Sequence, residues 1–121
     1  ARYFTNHTVY YHGCEPLEQK MPLIARTPNL RRFHVSPWTD LERVVEYFQG
    51  RVVLEVHDHP SEAFFRAGES ETRTRIRSLF ERAAGHGMDL NLSDIHTFNE
   101  DPGILTQWAR VAQEESERAA E

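Results

Sequence analysis

Three short stretches of this 121-residue chain place reactive side chains two positions apart: His12-Gly13-Cys14, His57-Asp58-His59 and Asp94-Ile95-His96. On a strand, residues i and i+2 share a face, so His12 and Cys14 can act on the same ion or ligand. A thiolate and neutral imidazoles suit zinc better than magnesium or calcium, which prefer oxygen ligands. A catalytic zinc takes three protein ligands and keeps a fourth position open, and it turns a bound thiol into a nucleophile. The competing reading of the same pair is a buried, inert thiol, with His12 bonded to a neighbouring strand-end group. His57 and His59 read as further metal ligands or general acid/base groups, with Asp58 on the opposite face or orienting an imidazole. Their competing reading is a solvated loop that ends a strand before Pro60.

Other polar and aromatic residues read more simply. Asp94 suits a turn or cap, and Ser36 before Pro37 suits a turn, since no Ser/His/Asp arrangement accompanies it. Glu15 before Pro16 suits a helix start, and Trp38 and Trp108 suit helix-packing anchors.

These groups need elements to hold them. Short β-branched or aromatic runs alternate with longer helical ones. Strands are expected at Thr8–His12, Arg32–Val35, Val52–His57 and Asp89–Leu92. Helices are expected over 16–26, from a Thr39/Glu42 capping box to Gly50, over 71–84, and after Asp101 with Pro102 in the first position. Leu41, Val44, Val45 and Phe48 share one helical face; so do Ile76, Leu79, Phe80 and Ala83, and likewise Leu105, Trp108, Val111 and Ala112. The polar stretch 61–70 reads as a mobile loop.

Composition limits the function. A net charge of −5 argues against nucleic acid, which favours a clustered basic face. The arginines of 66–82 alternate with Glu69, Glu71 and Glu81, as on a solvated helix face. No apolar run approaches the roughly 20 residues that span a bilayer, so no membrane is expected as a partner. A lone cysteine excludes an internal disulfide and points to a reducing cytoplasm. The length suits one domain over 1–121, and the opening Ala1 points to processing or to a piece of a longer protein.

Four successive βα units predict an α/β fold with a parallel sheet. A flavodoxin-like sheet and half of a (β/α)8 barrel both satisfy the pattern, and both gather active groups at the carboxyl ends of the strands. Here those ends carry His12, Cys14, Ser36, His57, Asp58, His59, Asp94 and His96.

Three blocks then resemble a known family. GCEPL at 13–17, TPNLRRFHVSPWTDLERVVEY at 27–47 and SDIHTFNEDPGILTQWARVAQEE at 93–115 resemble, in order, the carboxyl-terminal part of the uroporphyrinogen decarboxylase superfamily. The likeness is to decarboxylase-like members with a Cys-Glu-Pro-Leu turn, an Asn-Leu-Arg-Arg…Ser-Pro-Trp segment and an Asp-Ile-x-Thr segment. It implies a (β/α)8 barrel of which this chain supplies the last four βα units. An amino-terminal half-barrel chain, or a further copy in a homo-oligomer, is then the implied partner. The methyltransferase branch of that superfamily holds zinc with His-x-Cys at the fifth strand and a cysteine at the eighth. His12 and Cys14 match the first pair, no second cysteine exists, and His96 is the expected substitute. In the relatives the 57–59 stretch contacts substrate, which implies catalytic or positioning roles for His57, Asp58 and His59. Porphyrinogen decarboxylases draw on amino-terminal groups, so none of that chemistry carries over. The implied function is metal-assisted methyl transfer with zinc and a corrinoid as cofactors, on a small-molecule or corrinoid substrate. The alternative is a non-catalytic tetrapyrrole-binding or structural subunit of the same architecture. Either way the isolated chain is expected to expose its outer strand edges and apolar inward-facing residues.

Overall fold

A computed structural model describes residues 7–59, 68–92 and 101–121. The order is β1 (Val9–Tyr11), α1 (Met21–Ile24), β2 (Leu30–Val35), α2 (Leu41–Phe48), β3 (Val53–Asp58), α3 (Glu69–Arg82), β4 (Met88–Leu92) and α4 (Gly103–Ala119). The four strands form one sheet in the order β1-β2-β3-β4, every pair parallel. The expected α/β fold of four βα units is therefore present. The order runs without the reversal that marks a doubly wound sheet, and it follows the progression of strands around a barrel.

The core lies between the sheet and the helices. Phe33, Val35, Leu54 and Val56 project from β2 and β3 to meet Ile24 of α1 and Val44 and Phe48 of α2. Ile76, Trp108 and Val111 form a second cluster where α3 packs on α4, and Leu90 touches both. Each large apolar side chain fully buried here contributes about 1.5–3 kcal/mol. A register irregularity between Val9 and Tyr10 lets Val9, Leu30, Tyr11 and Phe33 all reach this core.

Several local expectations are corrected. The helix expected over 16–26 is only Met21–Ile24, because Pro22 is confined to a first helical turn and turns built on Leu17 fill the approach. Asp40, not Thr39, caps α2: its carboxylate accepts from the Glu42 and Arg43 amides. Thr39 is buried and bonds elsewhere. Gln49 and Gly50 both take left-handed backbone as α2 ends. Pro102, expected in the first position of α4, stands at its N-cap, and Asp101 just before it accepts from the Gly103 amide. Trp38 is 61% exposed and no packing anchor, whereas Trp108 is buried. The arginines of α3 are partly exposed, as expected of a solvated face, but they also tie elements together: Arg73 and Arg77 hold Glu115 of α4, and Arg82 pairs with Glu42 of α2. Of the expected mobile loop 61–70, residues 61–67 lie outside the described residues, and Glu69 and Ser70 belong to α3.

The face of the sheet turned away from the helices is polar, not apolar as expected. Tyr10, Arg32, His34, Glu55 and His57 stand on it, with Asp89 and Asn91 in register from β4. No helix of the described residues is long and apolar enough to cross a membrane.

Candidate functional site

Two ladders of alternating residues build this polar face. In β2, Arg32 and His34 alternate with Phe33 and Val35; in β3, Glu55 and His57 alternate with Leu54 and Val56. The apolar members fill the core, and so the polar members are forced together on the other side. Glu55 is the hub. It accepts from Arg32 Nε at 3.0 Å, Tyr10 Oη at 3.0 Å and His57 Nε2 at 2.9 Å. Burial alone would raise Glu55, but His57, Arg32 and Tyr10 outweigh it and hold the carboxyl at about 2. Burial, and then the bond to Glu55, pushes Tyr10 up to about 12. Arg32 also reaches Asp89 and thereby ties β4 to the hub.

At the carboxyl ends of β1, β2 and β3, three imidazoles meet. His34 stacks on His57 with centroids 4.1 Å apart, and His12 meets His34 edge-on at 4.0 Å. His12 Nδ1 lies 2.6 Å from His34 Nδ1 and 3.1 Å from Tyr10 Oη. On the other side of the same ring, His12 Nε2 lies 3.3 Å from Cys14 Sγ. The partners assign the protons. Ionised Glu55 can only accept, so Tyr10 spends its one proton on it, and His57 must be protonated at Nε2. Tyr10 oxygen can then only accept from His12, which places a proton on His12 Nδ1 and leaves Nε2 facing the thiol.

The turn carrying Cys14 is anchored. The Glu15 carbonyl accepts from the hydroxyls of Ser36 and Thr39, which also bond each other at 3.0 Å. Glu18 accepts from the Asp40 amide, and Glu15 pairs with Lys20 at 2.7 Å. Gly13 is buried between His12 and Cys14, and a Cβ there would sit 3.1 Å from Leu17 Cδ2 and 3.2 Å from Tyr11 Cε1. Ser36 thus braces the thiol turn.

Cys14 is exposed, which corrects the buried-thiol reading. His12, Cys14 and His57 fall in one cluster with His34. Asp58 does not join them. It is buried on the helix side, held by Arg75 at 2.7 and 2.9 Å and by Trp108 Nε1 at 2.9 Å. His59 packs edge-on against exposed Trp38, centroids 5.1 Å apart, at the rim. His96 and Asp94 lie outside the described residues. Sequence reasoning missed His34, Tyr10, Glu55 and Arg32. Their signal was present: polar residues at period two inside strands of a parallel sheet, where near-continuous apolar runs are the rule.

Of the expected zinc ligands, His12 and Cys14 stand together, Nε2 lying 3.3 Å from Sγ, and His96 lies outside the described residues. His34 meets the opposite edge of the His12 ring, at Nδ1. Among the described residues, no group of three or more His, Cys, Asp or Glu side chains is arranged to hold a metal ion. A cleft of about 600 Å³ lies beside the hub, between Asp89 and Asn91 of β4 and Trp108 and Ala112 of α4. The chain matches no family model, no curated protein and no solved structure.

Proposed function

We propose that this chain is the carboxyl-terminal half of a decarboxylase-like barrel whose polar sheet face forms a methyl-transfer site. The observation that carries the reading is an exposed thiol in contact with an imidazole at the carboxyl end of a strand, beside two further histidines and a charged hub. Parallel βα architectures place their chemistry at that end. Arg32, Tyr10 and Glu55 form a polar floor able to orient a small substrate, and Trp38 with His59 offers an aromatic rim. The donor in this reading is a small molecule or a corrinoid, and the acceptor is a thiol. The outer edges of β1 and β4 are where an amino-terminal half, or another copy, completes the barrel. Metal assistance enters as a separate, measurable component and would use His12 Nε2, Cys14 and His96.

The test uses the chain isolated in its native assembly. Methyl transfer from methylcobalamin to a small thiol is followed by corrinoid absorbance, beside metal analysis, in wild type and Cys14→Ser. Transfer abolished by Cys14→Ser supports the reading, and stoichiometric metal lost with it supports the metal component. Tight corrinoid binding without transfer replaces the enzyme with a tetrapyrrole-binding subunit. Neither binding nor transfer overturns both.

A further inference from the structure

We propose that Cys14 is a nucleophilic thiol whose proton is taken by His12 Nε2, and that His34 and Tyr10 are the positioning residues that hold His12 for this task. The inference shares a location with the proposed function but not its reaction, since it needs neither methyl transfer nor a metal.

Four observations converge on it. Cys14 is exposed, so an electrophile can reach the sulfur. His12 Nε2 lies 3.3 Å from that sulfur. The opposite edge of the His12 ring is held twice, by His34 Nδ1 at 2.6 Å and by Tyr10 Oη at 3.1 Å. The Tyr10 proton is already committed to Glu55 at 3.0 Å, so the His12 proton sits on Nδ1 and the lone pair faces the thiol. A nucleophile in contact with a base, and the base oriented by a third group, is the general arrangement of an activated nucleophile. A charged group completes the line: a positive charge gained by His12 stays on its ring and is stabilised by the Glu55 carboxylate through the intervening Tyr10 hydroxyl. His34, packed between His12 and His57, cannot swing away without leaving its stack.

The substrate class is a small, soft carbon electrophile bearing a good leaving group. The sulfur attacks the carbon, an S–C bond forms, and the bond to the leaving group breaks with its electron pair going to that group. The thiol proton ends on His12 Nε2. No oxidant or reductant is needed.

Alkylation by iodoacetamide reads this directly. The chelator-treated chain is labelled at neutral pH and Cys14 modification is followed by mass spectrometry, with the urea-unfolded chain as reference. With a base in contact with the exposed sulfur, folded Cys14 should react about tenfold faster or more than the unfolded chain. His12→Asn should remove that advantage. Tyr10→Phe, at an exposed position, should reduce it. His34→Ala should also reduce it, whereas His34→Asn, which keeps an acceptor near the Nδ1 position, should restore most of it; circular dichroism confirms that each variant is folded. Equal folded and unfolded rates would overturn the proposal. So would an undiminished rate in folded His12→Asn, or an advantage that appears only when zinc is returned. Loss of methyl transfer with the alkylation advantage intact would count against the proposed function alone.

Discussion

His34 Nδ1 lies 2.6 Å from His12 Nδ1, on the edge of the ring opposite the one that meets Cys14. One ring therefore joins an exposed sulfur to a buried imidazole on the polar face of the sheet. A single ion shared by all three residues would require that ring to turn. The arrangement as it stands suits proton transfer, and its consequences can be measured.

Gly13 sets the spacing between His12 and Cys14. Gly13→Ala would press a methyl group on Leu17 and Tyr11, both of which face the core. A stability loss of about 1–2 kcal/mol is expected by urea denaturation. The rate of Cys14 alkylation should fall with it, because the turn that presents the sulfur must shift.

Asp58 is a strut and not part of the polar face. Its buried carboxylate accepts from Arg75, from Trp108 and from the His59 amide. Asp58→Asn should cost about 2–4 kcal/mol in urea denaturation, since it leaves the Arg75 guanidinium without its charge partner. Trp108→Phe, which loses one hydrogen bond and keeps most of the ring, should cost about 1 kcal/mol beyond any packing change.

Stability should fall in acid within a defined window. The Arg77 and Arg73 guanidiniums hold Glu115 at about 2, and Arg82 does the same for Glu42. Glu55 is held equally low by His57, Arg32 and Tyr10 against the opposing effect of burial. A carboxyl depressed by folding stabilises the folded state fully above its ordinary value of 4.5. That contribution shrinks as pH falls below 4.5 and is gone near 2, where the folded groups also take up protons. Thermal unfolding from neutral pH downward should show this decline, and Glu115→Gln should make it shallower while lowering the neutral-pH midpoint.

Much of the fold was legible because the apolar residues obey the two periods of regular structure. Phe33 and Val35, and Leu54 and Val56, announce strands; Leu41, Val44 and Phe48 announce a helix. Boundaries failed where a proline or a competing side chain intervened, as at Pro22 and at Asp40 beside Thr39. The site was half legible. His12 and Cys14 stand out by type, but His34 and Glu55 become partners only through the parallel registers of β1 with β2 and of β2 with β3. Asp58 shows the converse: it sits between two histidines in sequence, yet the alternation of a strand sends it to the other face.

The most direct measurement is the protonation of the His12 ring, read by nitrogen-15 NMR of the side chain in selectively labelled protein. At about pH 8, above ordinary histidine titration, the expected result is a proton on Nδ1, whether or not Nε2 has taken one from Cys14. His57 should carry its proton on Nε2. A bare His12 Nδ1 with the proton on Nε2 would contradict the relay, because the lone pair would then face His34 and not the thiol.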